Sequence, residues 1–178
     1  MIETTAELPA ARRHNLDLMP TIAALCDEHG VTPADLAEVY VSLGPGSFTG
    51  LRIAVATAKM LALSLGVKLV GVPTLDVLRR QHPEAMVCLN VKRDTAWSAG
   101  PGHEPAMRSL DEIAALQLPV VADGVEGAAA VDPAVEHVWA LGCAAAEAGA
   151  YDDPLALRPL YIREPEAVTL WEQRHGGN

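Results

Sequence analysis

The sequence predicts an α/β fold in which a parallel strand–helix–strand unit gives way to antiparallel strands, and three observations support it. Residues 39–43, VYVSL, run almost continuously apolar, the pattern of a strand covered on both faces. A glycine-rich loop then leads into an apolar helical stretch at 48–65, an apolar strand at 67–72 and a helix over 75–81 capped by Pro73-Thr74. That order is the signature of a right-handed crossover unit. Finally, 85–91 and 95–99 are strand-like segments joined by the polar turn Lys92-Arg93-Asp94, which predicts a hairpin.

In chain order, the first element is an amphipathic helix over 12–29. Leu18, Ile22 and Leu25, flanked by Met19 and Cys26, recur at helical spacing, and Gly30 supplies the stop. Thr32-Pro33 is a cap followed by a first-turn proline, which gives a short helical turn before the strand. Beyond the hairpin, 100–105 reads as a turn-rich linker, and Ser109-Leu-Asp-Glu112 as a capping box opening a short helix. A compact strand follows at 120–122. The Ala/Gly-rich stretch 128–150 holds a small-residue helix from Trp139 to Ala148, where low bulk permits close packing. Residues 154–165 contain three prolines and are expected to be extended.

Half of the 178 residues are hydrophobic, enough for one domain or two small lobes sharing a core. A net charge of -10 argues against a surface that grips nucleic acid unaided, because Lys and Arg supply most of that affinity; if RNA is involved, a partner is expected to hold it. Cys26, Cys88 and Cys143 lack C-x-x-C spacing and read as small hydrophobes in a reducing compartment, with a catalytic thiol the sharper alternative. The N-terminus lacks the basic start and apolar core of a signal peptide. The apolar run at 53–65 contains Lys59 and is shorter than the ~20 residues that cross a bilayer, so a soluble, cytoplasmic protein without membrane partners is expected.

The loop at 44–50, GPGSFTG, raises the main chemical question. A glycine-rich turn between a buried strand and a helix presents backbone N–H groups at the positive end of the helix dipole, as many phosphate sites do. Gly44, Gly46, Ser47, Thr49, Gly50 and Arg52 are therefore the candidate phosphate loop. The spacing fits neither common nucleotide motif: Leu51-Arg52 stands where a Walker loop needs Lys-Ser/Thr, and three residues separate Gly46 from Gly50 where the dinucleotide motif has two. The competing reading is a corner, with Gly44 and Gly46 in glycine-only conformations, Ser47 or Thr49 capping the helix and Phe48 anchoring the core. Composition and spacing favour the corner.

No other constellation carries chemistry. The six histidines never pair at i, i+4, so no metal site can be argued, and no nucleophile elbow surrounds Ser47. Lys59 reads as a solvating charge and Asp152-Asp153 as a solvated turn.

The decapeptide GPGSFTGLRI at 44–53, followed by Ala56-Thr-Ala-Lys59 and Gly71-Val-Pro-Thr-Leu75, resembles the TsaB (YeaZ) family. Arg13-His14 with Leu18 and Pro20, Ala122-Asp-Gly124 and Pro159-Leu-Tyr-Ile-Arg163 are similar to other family segments, in order. The resemblance implies an actin/Hsp70/sugar-kinase-like (ribonuclease H-like) fold of two lobes, taken here as 1–82 and 83–178 with an extended tail. It also implies a non-catalytic subunit without its own catalytic residues, cofactor or metal, supporting a TsaD-like subunit that places threonylcarbamoyl on the adenosine beside the tRNA anticodon. ATP or ADP and metal would belong to partner subunits, among them a TsaE-like ATPase. Pairing with TsaD or with a second copy would use the first-lobe helices, through His14, Leu18, Met19, Ile22, Leu51 and Val55, and tRNA would be reached only through the complex. The alternatives are an ATP-binding phosphotransferase or peptidase-like enzyme of the same superfamily, or a truncated inactive remnant.

The sequence departs from the family pattern at two places. Family members usually begin with a strand hairpin carrying Asp-Thr-Ser, whereas this sequence opens at the expected third strand, so the first lobe is expected to be truncated or the start codon to lie upstream. Residues 90–97, NVKRDTAW, stand where the family has Asp-Ala-Arg/Lys-x-Gly-Glu-Val-Tyr.

Overall fold

Alternating side chains along two paired strands explain the first layer of the fold. In the computed structural model, which describes residues 4–8 and 14–162, β1 (Glu38–Gly44) pairs in parallel with β2 (Lys68–Pro73), matching Val39 to Leu69 and Val41 to Gly71. Val41, Leu43 and Leu69 point to one face, where they bury Val55, Ala58 and Ala62 of α2 (Phe48–Leu65) together with Leu157. Tyr40, Val70 and Val72 point to the other, against Val77 of α3 (Thr74–Gln81) and Val138, Leu141 and Ala145 of a later helix. A strand with both faces covered is apolar at every step.

The second sheet is mixed, its strands in the order β5 (His103–Ser109), β4 (Thr95–Gly100), β3 (Met86–Lys92) and β6 (Val120–Ala122). β3 and β4 form the expected hairpin, and β6 runs parallel to β3. Met86, Cys88 and Ala122 pack with Ile113 of α4 (Leu110–Ala115), whose Ser109/Glu112 capping box forms as predicted. Val87, Leu89 and Ala99 face the other way and meet Leu75 and Leu78 of α3. α3 therefore lies between the sheets, Val77 facing the first and Leu78 the second, both without solvent exposure.

The predicted linker at 100–105 ends early. β5 (His103–Ser109) pairs antiparallel with β4, and Arg108 Nη1 donates to the Ser98 carbonyl at 2.7 Å. As an edge strand with Pro105 and mostly polar, part-exposed side chains, it lacks the alternation that announces a strand.

α5 (Val135–Glu147) starts four residues before the predicted Trp139. Its first turn has no side-chain cap of its own. Gln81 of α3 supplies one across the fold, donating from Nε2 to the Asp132 carbonyl at 3.0 Å and accepting the Ala134 N–H at 3.2 Å. α5 packs on the first sheet at Gly142, where an added Cβ would overlap the Tyr40 ring. Gly142→Val is accordingly expected to cost about 2–3 kcal/mol by overpacking, read as a lowered thermal midpoint.

Asp152 and Asp153 form more than a solvated turn. Lys68 N–H bonds to Ala37, so Leu69 and Gly71 turn their backbone groups to the opposite edge of β2. There Asp152 accepts the Gly71 N–H on Oδ2 at 2.7 Å and donates its own N–H to the Leu69 carbonyl at 2.8 Å. Asp153 caps the turn at 154–156, accepting the Leu155 N–H at 2.8 Å, so this part of the segment expected to be extended is a turn; 163–165 lie outside the described residues. Leu160 N–H donates to the Leu43 carbonyl at 2.8 Å, so the chain ends its described course back on the first sheet.

Cys88 is buried, and burial pushes its thiol up to about 11. Cys26 and Cys143 are half-buried. Peptide mapping after native thiol alkylation at pH 8 is expected to leave Cys88 unmodified and to find it labelled after denaturation, since the thiolate is the reactive form.

Candidate functional site

The loop at 44–50 takes its shape from three local devices. Gly44 adopts φ +93°, and a Cβ there would come within 2.5 Å of Leu51 Cδ1, so glycine is required on both counts. Gly46 has no positive φ, contrary to the expectation for both glycines. The Gly44–Pro45 peptide is cis, and Ser47 is the N-cap of α2, its hydroxyl accepting the Gly50 N–H at 3.3 Å. Thr49 falls inside the first turn.

The loop forms one wall of a cleft of about 320 Å³ between the two sheets, faced by Cys88, Leu89, Val91, Asp123 and Val131. Among the described residues Asp123 is the only charged one in its lining, and its Oδ1 accepts the Val131 N–H at 3.0 Å. A polyphosphate needs cations or several convergent N–H donors; a cleft whose one charge is a carboxylate repels it. The ATP site expected of the fold's enzymatic relatives is therefore a poor fit to these residues.

Phe48 is not the predicted core anchor. It is half exposed, and the Arg52 guanidinium lies 3.8 Å from its ring centroid while Arg52 Nε donates to the Tyr161 hydroxyl at 3.0 Å. The two rings stand 5.4 Å apart, forming a cation–aromatic cluster at the start of α2. This contact across 109 residues is invisible to local pattern. Lys59 is likewise not a merely solvating charge, since its ammonium donates to the Leu157 carbonyl at 3.0 Å.

The predicted partner residues divide. Val55 is buried in the first core cluster and so lies on no open surface, while Leu51 is half-buried against Gly44: α2 turns both toward β1 and the loop. Met19 is exposed, and Leu18 and Ile22 are half-buried on α1 (His14–Glu28), which packs on α2. The side chain of His14 lies outside the described residues, as do Arg12 and Arg13, where the sequence predicts the helix to start. The sequence reading missed the most exposed apolar positions of this pair of helices, Leu16 at 60 %, Met60 at 62 % and Leu63 at 55 %. α2 is apolar nearly all round, long and apolar enough by length and composition to cross a membrane, yet it buries only a narrow stripe on β1. Helical periodicity finds such a stripe and leaves open whether the remaining apolar face is covered.

A carboxylate pairing anchors the opposite face of the first sheet. Glu38 accepts from the Tyr40 hydroxyl and, at 2.8 Å, from the Tyr151 hydroxyl; these bonds hold its carboxyl below the ordinary range. Its contribution is present above the unfolded pKa and is lost as pH falls through the lower folded value. Among the described residues no three His, Cys, Asp or Glu side chains are grouped to hold a metal.

Comparison with known proteins places these features in context. The family model "TsaD: tRNA N6-adenosine threonylcarbamoyltransferase" matches residues 8–91. The Mycobacterium tuberculosis protein Rv3421c is 33% identical over 181 residues, covering 90% of this chain and 80% of its own length. The Bacillus subtilis tRNA threonylcarbamoyladenosine biosynthesis protein TsaB is 39% identical over 67 residues, 38% of this chain and 29% of that protein. Among solved structures, YeaZ from Pseudomonas aeruginosa superposes with a TM-score of 0.66 at 23% identity, covering 84% of this chain and 85% of that one. This last likeness concerns the fold, an actin/sugar-kinase-like α/β arrangement.

Proposed function

Because the chain belongs to the TsaB (YeaZ) family and so has a role in tRNA threonylcarbamoyladenosine biosynthesis, we propose that it acts as a non-catalytic subunit that pairs with a TsaD-type partner. The observation that carries this reading is the exposure, among the described residues, of the large apolar side chains Leu16 and Met19 on α1 and Met60 and Leu63 on α2, which packs against α1. Such side chains in water are stabilised by burial against a partner, and these four are of the kind that fill the apolar centre of an interface. The TsaD-type subunit would carry the metal, the nucleotide and the transfer step. The same side chains would serve a homodimer when the partner is absent, and a TsaE-type ATPase would join the assembled pair. The net charge of -10 suits a subunit that reaches tRNA within a complex in the cytoplasm, where tRNA is modified.

The alternative of an ATP-binding enzyme draws on the glycine loop at the start of α2 and is opposed by the carboxylate in the cleft. Titration calorimetry of the chain with ATP and magnesium separates the two. No binding heat is expected. Micromolar affinity abolished by Gly46→Val would favour the enzyme, and that variant is suitable because the nearest atom to a Cβ at Gly46 is 3.9 Å away.

A further inference from the structure

We infer that the groove beside the start of α2 receives an unpaired RNA base, an assignment that rests on the tRNA-modification reading and adds a direct RNA contact to it. The groove encloses about 200 Å³ between Phe48, Leu51, Leu160 and Tyr161, with Lys92 at its edge. That is below the roughly 300–1,000 Å³ of sites for drug-sized molecules and suits a single planar ring system. Phe48, the only phenylalanine of the chain, and Tyr161 remain 48% and 45% exposed although each could gain by burial. The Arg52 guanidinium stands beside both, 3.8 Å from the Phe48 centroid and tied to Tyr161 by the Nε bond. Among the described residues its terminal nitrogens have no bonded acceptor, so they remain available for phosphate oxygens.

Aromatic faces that stack a base and a fixed cation beside them are the two parts of single-strand recognition. The placement of charge favours RNA over a protein here. In a chain of net charge -10, the charged side chains at this groove among the described residues are Arg52, stacked on Phe48, and Lys92 at the edge, whereas the cleft between the sheets carries Asp123. The large exposed apolar side chains of α1 and the body of α2, by contrast, are leucine and methionine.

The test measures anisotropy of a short fluorescein-labelled single-stranded RNA with the full chain, alone and mixed with a TsaD-type subunit, alongside ultraviolet crosslinking mapped by mass spectrometry. Binding is expected to prefer the single strand to its duplex, to weaken with salt and to give crosslinks at Phe48 and Tyr161. Phe48→Ala and Tyr161→Ala should each weaken it about 5-fold or more with the thermal midpoint unchanged, and Arg52→Lys should retain more affinity than Arg52→Gln. Wild-type affinity in both alanine variants, no RNA binding by the wild type in either setting, or protection of the two rings by the TsaD-type subunit without RNA would each overturn the assignment. Pairing with that subunit is measured separately by size exclusion. An intact pair with an inert groove removes only the RNA contact, whereas failure to pair removes the partner reading.

Discussion

The double substitution Met60→Glu/Leu63→Glu is expected to weaken association with a TsaD-type subunit by about 30-fold or more, the equivalent of ~2 kcal/mol, while leaving the isolated chain folded. Met60 and Leu63 are three residues apart on one face of α2 and more than half exposed, so the free chain loses little when they become charged. In a pair the same carboxylates would be taken out of water without a counter-charge, which is the source of the penalty. Light scattering behind size exclusion reads the association, and circular dichroism reads the fold. Equivalent substitutions at Leu18 and Ile22 would be less informative, because both are half-buried and a loss of pairing there would mix with a loss of stability. Val55→Glu would place a charge in the core and is expected to unfold the first sheet outright. Unchanged association by the Met60/Leu63 variant would remove this face from the interface.

Leu78→Ala is expected to lower stability by about 2–5 kcal/mol and the thermal midpoint by roughly 5–15 °C. The side chain has no solvent exposure and packs among Leu75, Ala85, Val87, Leu89, Ala99 and Val121, a neighbourhood shared by α3 and the second sheet. The adjacent Val77 meets Val70 and Val72 of the first sheet. One short helix thus ties two sheets through neighbouring residues, and truncating Leu78 leaves a cavity at that junction. Calorimetry should show one cooperative transition in the wild type and a lower midpoint in the variant. A shift smaller than about 2 °C would mean that the two sheets are coupled by contacts other than α3.

Much of this architecture was legible in the sequence because the signals are local. The strand at 39–43, the helix at 48–65, the hairpin turn at Lys92-Arg93-Asp94 and the capping box from Ser109 to Glu112 all depend on spacing within a few residues. The misreadings depend on distance. β5 is a strand because β4 lies beside it, α5 begins where Gln81 of another helix holds it, and Asp152 completes the edge of β2. At the candidate site the sequence marks the loop and leaves its cap to Ser47 or Thr49, of which the structure uses Ser47, while Phe48 is assigned to the core because a lone aromatic near an apolar helix is ordinarily buried. Phe48 and Arg52 are i, i+4 neighbours on α2, but Tyr161, which completes their cluster, lies 109 residues beyond Arg52 and no local pattern connects it. Val55 shows the complementary error: periodicity locates an apolar stripe on α2 without telling the side against β1 from the side facing water.

The most direct test of the proposed role is nucleoside mass spectrometry of tRNA from cells depleted of this chain, with the TsaD-type subunit still present. The account predicts that threonylcarbamoyladenosine falls in tRNAs that normally carry it and returns with the wild-type chain but only weakly with Met60→Glu/Leu63→Glu. An unchanged level of the modified nucleoside after depletion would contradict it.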